Sequence, residues 1–406
     1  GAFDRFPSGI AARHPAAEVF IAFLKLGLSA FGGPVAHLGY FREEFVARRR
    51  WLDDAAYGDL VALWQVLPGP ASSQVGMSIG LLRGGLPGMV AAWTGFTLPS
   101  AAALMLLAGF LAGVGGGFDT GWLHGLQVAA VAIVANAVWG MGRTLRPDLL
   151  RAGIAGAATL VALAWPSAFG QIAAIVLAGV VGWRYIAPAD AAPVAAESRS
   201  MLHRPNLVLL GLFAALLVLL PLAADVTASH GLALIDRFYR AGALVFGGGH
   251  VVLPLLQAAV VPPGWIDNDR FLAGYGAAQA VPGPLFTFAA YLGAAMQPAP
   301  SGLAGGLICL GAIYLPSFLL VPAALPLWRR LSGRTALRAA VAGINAGVVG
   351  LLLAALYTPV WTSSIRSAAD FGLAVTALVA IAVWRLPPWL VVAASLLAAG
   401  GLAALQ

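Results

Sequence analysis

Two cations stand inside apolar stretches, each at the same distance from a pair of glycines. Lys25 lies in FLKLGLSAFGG, Phe23 to Gly33, and Arg240 lies in FYRAGALVFGG, Phe238 to Gly248, each seven residues before its paired glycines. Both copies are followed by Gln-x-x-Pro-Gly-Pro, at Gln65 to Pro70 and Gln279 to Pro284. Proline removes a backbone donor and clashes with the preceding turn, and glycine turns the chain without a side-chain penalty, so four helix breaks are predicted. A half-helix that restarts inside a membrane aims unpaired N–H groups and a positive dipole end at the midplane. Cations beside such ends make an anion site.

The donors next to the breaks extend that set. After the first Pro-Gly-Pro come Ser72, Ser73 and Gln74; the second half offers Thr287, and His250 just past its glycines. The candidate anion-binding residues are therefore Lys25, Arg240, Gly32, Gly33, Gly247, Gly248, His250, Gln65, Gly69, Ser72, Ser73, Gln74, Gln279, Gly283 and Thr287. Lys25 is the only lysine among 23 Lys and Arg residues. A charge at the bilayer centre costs about 2.5 to 3.5 kcal/mol on the mildest scale, so such residues mark a pathway or find a partner. The bland alternative is that Lys25 and Arg240 snorkel to an interface or pair with acids such as Glu18 or Asp236. Gln65 and Gln279 fit site and packing roles equally, and Asn136 and Asn345 read as interhelical hydrogen-bonding groups. Glu18, Asp59 and Asp236 are the acids placed to couple transport to protons.

The elements that must position these residues are membrane helices. The chain has 406 residues, 60% hydrophobic and 10% charged, with a mean hydropathy of +0.88, too apolar for a soluble globular domain. Leu86 to Ala112, Gly125 to Gly142, Asn206 to Ala224, Gly302 to Trp328 and Ala336 to Leu356 are long enough to span a bilayer. The net charge of +7 comes from arginine clusters between apolar runs, as orientation in a membrane requires, and excludes a nucleic-acid partner. Cys309, the one cysteine, reads as buried packing. Gly1 to Pro15 reads as a short tail without a cleavable signal.

Aligning the two FGG motifs also matches Trp51 with Trp265, Asp53 with Asp267, Gln65 with Gln279, Leu98-Pro99 with Leu315-Pro316 and Asn136 with Asn345. The chain is an internal duplication. Arg42, Arg48, Arg49 and Arg50 follow the first FGG, whereas His250 to Trp265 has no Lys or Arg. Conversely, Gly113 to Gly125 has none, while its counterpart carries Arg329, Arg330, Arg334 and Arg338. Equivalent loops thus face opposite sides, the pattern of inverted-repeat transporters with a site at the midplane. The expected fold is an all-α polytopic membrane protein, with two inverted-topology repeats of about six segments, containing broken or re-entrant helices. Residues 1–186 form the first repeat, 187–230 a cytoplasmic linker with Arg199 and Arg204 plus an unpaired transmembrane helix, and 231–406 the second repeat. The total is about 13 segments, with the amino terminus inside and the carboxyl terminus outside. Arg48 to Arg50 and Arg83 on both sides of the first Pro-Gly-Pro segment favour a re-entrant hairpin there.

Enzyme chemistry finds little support. Gly76-Met77-Ser78-Ile79-Gly80 matches G-x-S-x-G, but no strand precedes it. The six histidines show no metal-ligand spacing, and no phosphate-binding loop for a nucleotide is present. No cofactor and no metal are expected.

The FGGP of Phe31 to Pro34, the WQVLPGP of Trp64 to Pro70, the repeated FGGGH and QAVPGP, and the inverted layout together resemble the chromate ion transporter family in its long two-domain form. The resemblance covers nearly the whole chain. It implies chromate efflux across the bacterial inner membrane and chromate resistance, with sulfate as competitor and a homodimer as a permitted assembly. One departure is visible: the second FGG continues with Gly249-His250 where the first has Pro34, so unequal halves are expected. Moving two negative charges out through an inside-negative potential gains about 4.6 kcal/mol per 100 mV, enough to drive export without a proton relay. A sulfate-type importer, an intramembrane hydrolase using Ser78 and a non-transporting scaffold are the competing readings.

Overall fold

The computed structural model describes residues 15–113, 120–144, 148–186, 206–246, 249–327 and 334–404, and these are all helix and connecting loop. The tail 1–14, most of the linker with Arg199 and Arg204, the paired glycines Gly247 and Gly248, and Trp328, Arg329 and Arg330 lie outside the described residues. Among the described residues, six helices are long and apolar enough to cross a membrane: Ala71–Gly113, Gly121–Arg143, Ala168–Tyr185, Leu207–Thr227, Gly302–Ala324 and Thr335–Ser364. They cover all five long windows read from the sequence to within a few residues at the ends.

The first half begins with two hairpins. Helix α1 (Pro15–Ser29) stops before Gly32, and α2 (Gly33–Phe41), extended by a wider turn through Arg48, folds back along it. The Phe23 ring stacks on Phe45 at 4.7 Å and meets Phe41 edge-on at 5.5 Å, which fixes the antiparallel pairing. Helix α3 (Asp54–Val66) is capped by Asp53, whose carboxylate accepts from the Ala56 N–H at 2.8 Å. It ends at Pro68-Gly69-Pro70, and the first arm of α4 (Ala71–Gly113) returns beside it, with Trp64 Nε1 donating to Ser78 Oγ at 2.8 Å. A second reversal follows at Gly84 and Gly85, so α4 is two arms, 71–83 and 86–113. A Cβ on Gly80 would lie 2.4 Å from the Gly88 carbonyl oxygen; only glycine lets the arms close so tightly.

The second half repeats this order. Helices α9 (His230–Ala243) and α10 (Val252–Val260) form the first hairpin, and Arg237 from α9 donates to the Ala259 carbonyl of α10. Helices α11 (Asn268–Ala280), capped by Asp267, and α12 (Phe288–Ala295) form the second, and Tyr291 donates to the Arg270 carbonyl at 3.1 Å. Helix α13 (Gly302–Ala324) corresponds to the long second arm of α4. The bases of the hairpins are braced alike: Arg49 and Arg83 lie over the Trp51 ring, and Arg237 lies over the equivalent Trp265.

The remaining helices exchange partners between the halves. Helix α5 (Thr120–Thr144) packs against α15 (Ala368–Ala382) and α16 (Pro388–Ala404), while α14 (Thr335–Ala355) packs against α6 (Leu149–Ala164) and α7 (Ala168–Tyr185). Glycines permit these crossings: a Cβ on Gly182 would lie 2.6 Å from the Gly343 Cα, and one on Gly125 would lie 2.7 Å from the Ser395 carbonyl. Helix α8 (Leu207–Thr227) has no counterpart; it packs on α9 and α13 with most of its surface exposed.

Gly343→Leu should therefore destabilise the exchanged crossing, by the roughly 1–3 kcal/mol or more typical of overpacking. Gly211→Leu, at a position open on all sides, should leave the melting temperature unchanged. Thermal unfolding of both variants in detergent checks the contrast.

Candidate functional site

All four helix breaks meet at one place. The Gly69 N–H donates to the Val245 carbonyl at 2.7 Å, and the Gly283 N–H donates to the Ala30 carbonyl at 3.0 Å. Gly69 corresponds to Gly283, and Ala30 to Val245, so each Pro-Gly-Pro loop is bonded to the FGG break of the other half by the same contact. Such reciprocity is the mark of a twofold relation. Equivalent residues also meet each other, as they must at the axis. The Pro34 ring is so close to Gly249 that a Cβ there would lie 3.2 Å from Pro34 Cγ. The departure at Gly249 thus has a steric cause: one ring fits at this crossing.

Positive φ angles explain the glycines that form the loops. Gly32, Gly33, Gly69 and Gly283 have φ of 103°, 77°, 122° and 103°, where a side chain is strained. At Gly69 a Cβ would also lie 2.2 Å from Gln74 Nε2. Gln74 is fully buried; its Nε2 donates to the Pro68 carbonyl at 2.9 Å, which closes the loop, and its Oε1 is without a partner. Ser72 and Ser73 are buried in the first turn of α4, where helix N–H groups have no intrahelical acceptor. Thr287 is buried and its hydroxyl donates to the Pro284 carbonyl at 2.8 Å. His250 Nδ1 pairs with the Tyr275 hydroxyl at 2.8 Å.

The charged candidates are placed differently. Lys25 is exposed on α1 beside Ile21 and Leu28, 64% and 59% exposed. Arg240 is partly buried and paired with Asp236, and no ion pair or hydrogen bond among the described residues joins it to Lys25. Glu18 is paired with Arg83 at 3.1 Å and reaches Arg49 at 3.8 Å. Both acids therefore brace arginines at hairpin ends, and Asp59 is partly buried on α3. Gln65 is exposed at the end of α3; Gln279 is partly buried with Nε2 unpartnered. Ser78 is fully buried, accepts from Trp64 and donates to the Gln74 carbonyl at 2.7 Å, so its hydroxyl is committed to holding the hairpin.

The sequence reading missed a group of hydroxyls on the two long crossing segments. Thr97 and Ser100 on α4 correspond to Tyr314 and Ser317 on α13, flanking the aligned Leu-Pro pairs. All four are buried. Tyr314 Oη lies 3.3 Å from Ser73 Oγ. Thr97 stands beside Tyr314, so these equivalent positions also meet at the axis. Ser100 abuts the second Pro-Gly-Pro loop: a Cβ on Gly283 would lie 2.9 Å from its Oγ. The aligned Leu98-Pro99 and Leu315-Pro316 pointed at the region, but nothing local distinguishes a serine aimed at an axis from one bonded within its helix.

A family model described as "Chromate transporter" matches residues 17–183 and 232–401. A "Chromate transport protein" of Pseudomonas aeruginosa is 29% identical over 352 residues, 82% of this chain and 79% of the relative. A protein of the same description from Cupriavidus metallidurans is 26% identical over 384 residues, 90% of this chain and 86% of the relative. An uncharacterised transporter of Methanocaldococcus jannaschii is 25% identical over 346 residues, 84% of this chain and 83% of its own. No solved structure matches the chain.

The Pro34–Gly249 contact makes a reciprocal prediction. Gly249→Pro should lower thermal stability in detergent, because two rings compete for one crossing. Adding Pro34→Gly should restore most of the loss, and the double-mutant cycle measures the coupling.

Proposed function

The chain belongs to the chromate transporter family, and we propose that it exports chromate from the bacterial cytoplasm across the inner membrane by alternating access, conferring resistance. It is a multi-pass membrane protein and a transporter, not an enzyme. The observation that carries the reading is the reciprocal bonding of the four breaks, which brings the ends of eight helical pieces from both halves to one axis. Transporter sites are built where repeats meet and helices are interrupted.

The two repeats, 1–186 and 231–406, insert in opposite senses. Arginines at the hairpin bases of the first repeat and before α14 in the second put those loops on the cytoplasmic side. Four hairpins enter without crossing, two from each side, and nine segments cross: the long arm of α4, α5, α6, α7, α8, α13, α14, α15 and α16. An odd number keeps the amino terminus inside and the carboxyl terminus outside, and the four hairpins with the nine crossings make up the thirteen segments read from the sequence.

Chromate enters from the cytoplasm past Lys25, exposed on α1, and Gln65, exposed at the end of α3. Polar groups at that depth belong to a water-filled path, and a lysine there raises the local anion concentration without joining the bound complex. The helix ends then replace hydration with N–H groups. Glu18 and Asp236, already neutralised by arginine, leave the membrane potential as the driving force, worth about 2.3 kcal/mol per charge per 100 mV.

Inverted membrane vesicles test substrate, direction and drive together. They should take up chromate, with sulfate competing, and collapsing the potential while keeping a pH gradient should stop uptake. Uptake that survives collapse sinks the proposed drive, and uptake only in right-side-out vesicles favours an importer. Lys25→Gln should lower the uptake rate at low chromate several-fold, with the difference shrinking at high salt, where a Debye length falls to about 3 Å.

A further inference from the structure

We infer that the oxyanion is bound on the axis between the halves by neutral hydrogen-bond donors, Ser73, Thr97, Tyr314 and Ser317, with the Trp93 indole N–H. This rests on the transport reading and names residues within its site. Ser73, Thr97, Tyr314 and Ser317 are almost completely buried. Ser317 Oγ and Trp93 Nε1 are buried without a hydrogen-bond partner, and Thr97 Oγ1 stands beside the Tyr314 hydroxyl. A buried donor left unpaired is unfavourable by roughly 1–3 kcal/mol. Two such donors, on the α4 and α13 segments that pack against each other beside the Ser73–Tyr314 contact, are accounted for by a ligand that accepts from them.

The chemistry of this group fits a tetrahedral dianion. Each oxygen of such an ion accepts hydrogen bonds, and bonds from neutral donors to an ionised acceptor are shorter and about twice as strong as neutral pairs. Neutral donors bind the ion without creating a buried ion pair, whose separation would make release slow. The unpaired N–H groups of the first turn of α4 add to the set, because Ser73 stands in that turn. Trp93 meets the Tyr314 ring edge-on at 5.5 Å, which ties the indole to the same cluster.

Tyr314 has a second role. In this conformation its hydroxyl lies against Ser73 at 3.3 Å and beside Thr97, where an oxygen of the anion would be received. The hydroxyl thus takes the place of one anion oxygen. The equivalent residue in the other half is the shorter Thr97, so the two sides of the site are unequal, and Tyr314 turns its hydroxyl from Ser73 to the anion when the anion binds.

The test uses Tyr314→Phe, Thr97→Val and Ser317→Ala in the full-length chain, with chromate uptake into inverted vesicles and chromate-dependent thermal stabilisation in detergent. Each variant should raise KM for chromate about tenfold with the maximal rate little changed, the factor one charge-assisted hydrogen bond supplies. The chromate-induced rise in Tm should shrink in step, while the Tm without chromate stays near the wild type. Because Tyr314→Phe keeps the ring, and the other two are near-isosteric, loss of one fold does not remove the remaining tests. Wild-type KM and Tm shift in the folded variants overturn the assignment, as does a fall in maximal rate alone. Wild-type vesicles that carry no chromate overturn the transport reading itself, and this one with it.

Discussion

Two backbone hydrogen bonds hold the architecture together: Gly69 to Val245 and Gly283 to Ala30. Each joins the tip of one hairpin to the break of a hairpin from the other half. A backbone donor buried in a bilayer without water must find an acceptor, and at a break the helix itself cannot supply one. The halves satisfy each other. Neither hairpin tip is complete alone, and the glycines at positive φ, the close approach of Pro34 to Gly249 and the folding back of Gln74 all follow from bringing four broken ends to one axis.

The exchanged helices give that axis a frame. Each α5-like helix leaves its own half and packs on the last two helices of the other, through glycines that bring backbones into contact. The halves are therefore tied at the rim as well as at the centre. The arginines over Trp51 and Trp265, with Glu18 paired to Arg83, brace the hairpin bases against this rim. Braced hairpins meeting at a glycine-built junction are what the proposed alternating access requires.

Much of this was legible in the chain. Apolar windows located the long helices, FGG and Pro-Gly-Pro located the breaks, and the aligned Asp53 and Asp267 turned out to be equivalent helix caps. Those features are local: a cap, a proline or a run of leucine acts within its own turn. The site was read less completely. A cation in an apolar run suggested a partner for an anion, but Lys25 faces outward and Arg240 is held by Asp236. Side-chain direction on a helix depends on which face is covered, and a span apolar all round carries no signal for that. Thr97, Tyr314 and Ser317 were passed over for the same reason, since hydroxyls in a membrane helix commonly bond to their own backbone.

By itself the sequence determined that the chain is a duplicated membrane protein, with interrupted helices and arginines biased to opposite sides in the two copies. Composition, spacing and charge distribution are one-dimensional, and each of those conclusions needs nothing more. The tertiary structure decided that both interrupted segments of each half fold back as hairpins, that the last helices exchange between halves, and which polar groups share the axis. Those outcomes depend on contacts between residues far apart in the chain, Gly69 with Val245 and Gly283 with Ala30, where the energetic gain comes from satisfying donors that no neighbour in sequence can reach.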